Sequence, residues 1–226
     1  MAGEKVLCIA AHPDDEVLGC GGTLAWHCQR GDHVSVLFCA DGVGARGAQS
    51  DLQARHAMAL AALDTLGVKS VNFLDFEDNR LDQRPLLELI QAIEPVLDDF
   101  LPSVVYTHHA GDLNIDHRRV CEAVLTACRP LPGSSVKRLY AFEVASSTGW
   151  GGDALPRFTP QVFVDIKSTL AIKLAALQCY GEEMRDFPHA RSVEALRALA
   201  HYRGSSVGLE AAEAFVVLRH LLADRD

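Results

Sequence analysis

The sequence has no excess of basic residues, no paired-cysteine motif and no apolar run of membrane-spanning length, and each lack removes a class of function. Its 21 Lys and Arg face 30 Asp and Glu, for a formal net charge of −9. A nucleic-acid binder would show a basic stripe instead, and strong non-specific attraction to anionic membranes is disfavoured. A phosphorylated substrate stays compatible with this charge, because a pocket can be basic beneath an acidic surface. The seven cysteines are odd in number and contain no Cys-x-x-Cys pair, so a cysteine zinc site is not expected. Cys8, Cys39, Cys121 and Cys128 fall in apolar patterns and read as buried thiols of a reducing compartment. The amino terminus enters a strand at once, without a signal-type apolar core, and nothing reaches the length of a membrane helix. The expected location is therefore the cytoplasm, with no membrane insertion. Repeats, low-complexity tracts and linker-like composition are also lacking. Gly19-Cys20-Gly21-Gly22 does not have the Gly-x-Gly-x-x-Gly spacing of a dinucleotide site; its glycines are expected to permit close helix–sheet packing.

What is present is an ordinary globular composition, 49% hydrophobic and 23% charged over 226 residues. That length holds one α/β domain with a sizeable core and is short for two. Strands are expected over 5–11, 34–40, 71–74 and 103–107, and helices over about 17–30, 50–66 and 85–99. A further helix, carried by Val120, Val124 and Ala127, follows the fourth strand. This alternation implies a Rossmann-like, mostly parallel sheet flanked by helices and joined by right-handed crossovers. After residue 130 the pattern loosens to two strands near 138–144 and 161–166, around a polar loop at 146–152. Helices near 167–184, 192–202 and 208–222 finish the chain. Residues 1–226 are read as a single domain.

The chemistry concentrates in His12-Pro13-Asp14-Asp15-Glu16, directly after the apolar run Val6-Leu7-Cys8-Ile9. Open α/β sheets gather ligands at the carboxyl ends of their strands. A strand-to-helix turn accounts for Pro13 and one capping Asp. It leaves unexplained an imidazole at a strand end beside two carboxylates. His and Asp suit Zn²⁺, and a second carboxylate can act as base on a water. One His and one Asp leave such a site incomplete, and His117 is the best third ligand. It follows Asp116 at the start of a helix, after the strand Ser103-Val104-Val105-Tyr106. Taken alone, Asp116-His117 would read as a helix cap; together the two clusters predict three ligands with an open fourth position, the arrangement of catalytic zinc.

These two stretches resemble the LmbE-like, or PIG-L, N-deacetylase family, whose hallmark is His-Pro-Asp-Asp-Glu with a distant Asp-His. The likeness extends through Phe76-Glu77-Asp78-Asn79-Arg80 and Pro188-His189-Ala190-Arg191-Ser192. It implies that His12, Asp15 and His117 bind the metal, commonly zinc, and that Asp14 is the general base. It also implies hydrolysis of the amide of an N-acetylated amino sugar, its glycoside or a nucleotide conjugate, by a water activated at the metal. A homo-oligomer follows from the same resemblance. A His₂Asp set tolerates several divalent ions, so Fe²⁺ and Mn²⁺ are alternatives to Zn²⁺. Glu16 is expected to support the loop or a ligand from behind.

One position departs from the family pattern. Many relatives carry a His three residues before the final ligand, thought to assist the transition state, and here that residue is Asn114. An amide can donate to an oxyanion but cannot deliver a proton. The acid role then falls to protonated Asp14, or to His109 or Asp112 should the loop bring them inward. Candidate substrate contacts are Arg46, Asp78, His109, Glu143, His189 and Arg191. Arg46 reads equally as a solvated loop charge, and Asp78-Asn79-Arg80 as a turn with local hydrogen bonds. His108 and His109 suit strand-end packing. Glu143 is either buried and paired or turned to the site, and the second is taken. Two readings compete with deacetylation: a metal-dependent hydratase of an unsaturated carboxylate, and a non-catalytic sugar-binding protein.

Overall fold

Val6, Cys8 and Ala10 of the first strand point to one side and Leu7, Ile9 and Ala11 to the other, and all are buried. A strand covered on both faces is what an uninterrupted apolar run produces, and it belongs in the middle of a parallel sheet. The structure, a computed structural model, describes residues 3–43, 52–181 and 183–222. The strands β1 (Lys5–Ala10), β2 (His33–Ala40), β3 (Ser70–Phe76), β4 (Val104–His108), β5 (Arg138–Phe142), β6 (Val162–Asp165) and β7 (Ala212–His220) form one sheet. Their order is β3-β2-β1-β4-β5-β7-β6. The first five are parallel, and β7 runs antiparallel to both β5 and β6. The strand order therefore reverses direction between β1 and β4, and the crevice above their carboxyl ends is the natural ligand position of such a sheet.

Helices α1 (Asp15–Gln29), α2 (Leu52–Leu66), α5 (Leu170–Gln178) and α6 (Val193–Ser205) cover one face. Helices α3 (Leu86–Phe100) and α4 (Ile115–Ala127) cover the other. Gly19 shows why a glycine is needed under α1: a Cβ there would lie 2.2 Å from the Phe142 ring. Helix α1 breaks at Cys20 (φ −144°, ψ 20°). The N–H groups of Gly22 and Thr23 beyond the break donate to the buried Glu213 of β7 at 3.0 and 2.6 Å. Lys173 of α5 pairs with the same carboxylate at 2.5 Å. Cys8, Cys39, Cys121 and Cys128 are buried and free.

Two expected elements differ. The helix near 167–184 is limited to Leu170–Gln178. The helix expected over 208–222 is instead the strand Ala212–His220, inserted between β5 and β6. Leu209-Glu210-Ala211-Ala212-Glu213 is locally helix-favouring, yet Phe215, Val216 and Val217 fit a half-buried pleated position, and pairing on both sides overrides the local preference. No helix among the described residues is long and apolar enough to cross a membrane.

Candidate metal centre and cleft

Both halves of the site stand at the switch point of the sheet. The segment after β1 delivers His12, Asp14 and Asp15, and the loop after β4 delivers His117 in the first turn of α4. Asp15 heads α1, with its N–H donating to the His12 carbonyl (3.2 Å) and its Oδ2 accepting from the His12 N–H (3.0 Å). That tight turn sets Asp15 Oδ2 at 3.2 Å from His12 Nδ1 and 3.1 Å from His117 Nε2. One donor atom from each of the three residues lies within 4.8 Å of the others, and all three side chains are buried. Asp15 Oδ1 is buried with no hydrogen-bond partner. A buried carboxylate oxygen is costly to leave unpaired, and two imidazoles with one carboxylate are the donor set of a divalent metal such as zinc. The residues fit the group that the sequence implies.

Carboxylates stand behind both imidazoles. His12 Nε2 lies 3.0 Å from Asp116 Oδ2 and 3.0 Å from Asp78 Oδ1. Asp116 is fixed in turn by the backbone N–H groups of Asn79 (2.7 Å) and Leu81 (3.0 Å). His117 Nδ1 lies 3.1 Å from Asp112 Oδ2, which also accepts from Ser147 Oγ (3.0 Å) and Thr148 Oγ1 (2.6 Å). Such partners orient imidazole ligands and raise their basicity. Burial disfavours the charged form of His12, but hydrogen bonds to Asp116, Asp15 and Asp78 outweigh it and hold the pKa well above its ordinary value. For His117, burial is likewise outweighed, by Asp15 and Asp112, and the pKa is raised to about 9. Burial raises Asp15, but His117 and His108 hold it well below the usual carboxylate range. His108 has its Nε2 engaged by the Ala11 N–H at 2.8 Å and its ring stacked on His117 at 3.9 Å, while His108, Asp112 and His117 also place one donor atom each within 4.8 Å of one another.

A polar cleft of ≈ 90 Å³ opens beside the cluster, lined by His12, Asp14, Arg55, Asp78, Asn114 and Arg191 among others. A larger groove of ≈ 400 Å³ lies at the opposite end of the sheet, against Leu101 and Leu131, away from these residues. Asp14 Oδ2 is 2.7 Å from Arg191 Nη1 and 3.5 Å from Arg55 Nη2. Burial nevertheless leaves the Asp14 pKa raised, with Arg191 opposing. Glu183 is shared by the same two arginines, at 3.2 Å from Arg55 and 3.3 Å from Arg191. Asn114 caps α4 by accepting the Asp116 N–H (2.8 Å), and its Nδ2 lies 3.3 Å from Asn79 Oδ1.

The structure thus brings together His12, Asp14, Asp15, His117, Asn114, Asp78 and Arg191. Three expected substrate residues do not line the cleft. Glu143 is half-buried and held by a bidentate partner, Arg203, at 2.7 Å to each oxygen, so it is paired rather than turned to the cleft. His109 packs edge-on against Phe158, and its Nδ1 accepts the Gly111 N–H. His189 is exposed, with its Nδ1 accepting the Arg191 N–H at 3.0 Å. Arg46 lies outside the described residues. Sequence reasoning missed Arg55 and Glu183, and gave Asp112 and Asp116 no part behind the ligands. Arg55 had a signal: it occupies the inward stripe of α2 with Ala59, Ala62 and Leu66, where a charge needs a reason. Glu183 had none.

The family profile of PIG-L, GlcNAc-PI de-N-acetylase, matches residues 7–128. The chain belongs to the PIG-L family. Among its relatives is the uncharacterized deacetylase YaiS of Escherichia coli K12, 34% identical over 76% of this chain and 88% of its own length. The diacetylchitobiose deacetylase of Thermococcus kodakarensis is 30% identical over 93% of this chain and 81% of its own. The crystal structure of GalB, the 4-carboxy-2-hydroxymuconate hydratase of Pseudomonas putida KT2440, superposes with a TM-score of 0.76 at 23% identity, covering 98% of this chain and 99% of that one. That last likeness shows a shared fold. The family fold is also used for chemistry other than deacetylation.

Proposed function

We propose that the protein is a divalent-metal-dependent N-deacetylase of a small N-acetylated amino sugar, its glycoside or a conjugate. The observation that carries this reading is the buried His12–Asp15–His117 set, with its unpartnered Asp15 oxygen, adjoining the separate carboxylate of Asp14 in an open polar cleft. His12, Asp15 and His117 would hold the ion, with zinc proposed ahead of Fe²⁺ or Mn²⁺. When bound, such an ion supplies Lewis acidity, polarising an acyl carbonyl and acidifying water.

The chain's own residues do the rest. Asp14 accepts the proton of the attacking water at its carboxylate and returns it to the departing amine nitrogen, so one group acts as base and then as acid. Burial raises its pKa toward that dual use, while Arg191 keeps the carboxylate oriented. Asn114 holds no exchangeable acid; with its Oδ1 committed to the α4 cap and one amide hydrogen donated to Asn79, its second N–H remains as a donor for a developing oxyanion. Asp78 and Arg191 border the space for sugar hydroxyls.

Both cleft arginines are already neutralised by Asp14 and Glu183. A neutral amide suits such a cleft better than an unsaturated polycarboxylate, and this places deacetylation above hydration. The cytoplasm and a homo-oligomeric state belong to the same proposal. The test is release of acetate and free amine from N,N′-diacetylchitobiose and other N-acetylamino sugars, phosphate-linked forms included, before chelation, after it and after zinc is restored. Metal-dependent release of both products is expected. Absence of both from a fully metallated protein, with water added across a carbon–carbon double bond, would establish the hydratase instead.

A further inference from the structure

The peptide unit joining Pro13 to Asp14 is clamped at both polar ends by side chains. Its N–H, on Asp14, donates to Glu16 Oε2 at 2.9 Å. Its carbonyl, on Pro13, accepts from Arg55 Nη2. Asp14 itself has φ 126° and ψ −29°, a conformation that L residues rarely adopt and that persists only where the surroundings over-determine it. The two clamps share one support. The Tyr180 hydroxyl donates to Glu16 Oε1 at 2.6 Å, across 164 positions of sequence, and Arg55 Cζ stands 5.4 Å from the centre of the Tyr180 ring. Tyr180 and Glu16 are fully buried and Arg55 nearly so. Tyr180 does not line the cleft.

We infer that Tyr180, from the turn after α5, is a positioning residue for Asp14: its hydroxyl fixes Glu16, its ring seats Arg55, and together these hold the strained Pro13–Asp14 peptide that aims the Asp14 carboxylate at the cleft. This rests on the reading of Asp14 as the base. Loss of the hydroxyl leaves Glu16 a buried carboxylate with one donor fewer, free to leave the Asp14 N–H. Asp14 can then relax toward negative φ and swing its carboxylate. Asp15 has its own anchors in the His12 backbone, so the metal set does not depend on the clamp.

The test is a double-mutant cycle on the zinc-loaded protein. Tyr180→Phe, which keeps the ring, is expected to lower kcat by about 10- to 100-fold, the scale of a 1 Å misplacement, with KM and bound zinc unchanged. In an Asp14→Asn background the same substitution is expected to have no further effect, because the group it positions is gone. Arg55→Lys, which releases the other end of the peptide, is expected to lower kcat in the same way and to be equally silent beside Asp14→Asn; it carries the test should Tyr180→Phe not fold. The Asp14 amide proton supplies a readout apart from activity, and its resonance should move upfield in Tyr180→Phe as the hydrogen bond to Glu16 loosens. Wild-type kcat in Tyr180→Phe, or equal losses with and without Asp14, overturns the positioning role while leaving the base intact. Full kcat in Asp14→Asn alone overturns the base assignment, and the inference with it.

Discussion

His12 and His117 each show one ring nitrogen to Asp15 and the other to an outer carboxylate, Asp116 or Asp78 for the first and Asp112 for the second. Each imidazole is thus held in a fixed orientation, and under the proposed metal assignment the outer carboxylates set how tightly an ion is held. Asp116 carries the larger share, because it ties the 79–81 backbone and His12 into one unit. Asp116→Asn, which keeps the volume and loses the charge, should weaken zinc binding by about 10- to 100-fold without unfolding the chain. Competition against a chelator of known affinity reads this directly; unchanged affinity would mean that Asp116 serves only the loop. Asp116-His117 is legible in the sequence as a ligand with a neighbour, but the Asp78 and Asp112 contacts are not. They depend on where two separate loops come to rest.

At the scale of elements, α1 must lie close enough to β5 for its first turn to bring Asp15 beneath His117. Gly19 permits this approach, since any Cβ at that position would enter the Phe142 ring. Gly19→Ala should destabilise the fold by about 1–3 kcal/mol, the cost of overpacking a filled interior, and lower zinc occupancy with it. Chemical denaturation of the metal-free and metal-loaded forms checks the first part; a stability equal to wild type would show that α1 shifts freely. The sequence conveyed the first part of the sheet well, because β1, β2 and β4 are continuous apolar runs and α2 ends at Gly67. It misled at the end. Ala212–His220 begins in helix-forming residues, and the β-favouring Phe215, Val216 and Val217 together with pairing to β5 and β6 on both sides make it a strand. Glu213 shows the same limit: its carboxylate serves Gly22 and Thr23 about 190 positions away, which no local pattern reports.

At the scale of the whole molecule, the proposed metal assignment sets metal and proton in competition for one buried cluster, which couples stability to pH. In the metal-free protein the pKa of His117 is raised to about 9, above the ordinary value of about 6.5. A raised folded-state pKa contributes stability that is fully present below about 6.5 and is lost as pH rises through about 9. The depressed Asp15 pKa is the same attraction seen from the carboxylate. A divalent ion must displace those protons, so its affinity climbs over the same window. The gap in Tm between zinc-loaded and metal-free protein should therefore widen from pH 6.5 to 9. Paired thermal scans at fixed free zinc test this, and a gap that narrows with rising pH contradicts it. At free zinc 100 times the Kd the stabilisation amounts to about 2.7 kcal/mol, enough to see against the marginal stability of an ordinary domain.

In the proposed reaction, water attacks an acyl carbon at the His12–Asp15–His117 centre and Asp14 moves the proton. Turnover of N,N′-diacetylchitobiose in ¹⁸O-water, by wild type and Asp14→Asn each carrying one equivalent of zinc, tests it most directly. Wild type is expected to release acetate carrying one ¹⁸O per turnover. Asp14→Asn is expected to keep its zinc and lose turnover by about 10²- to 10⁴-fold, the range of a lost general base. Labelled acetate released at an undiminished rate by Asp14→Asn, or by wild type stripped of metal, would contradict it.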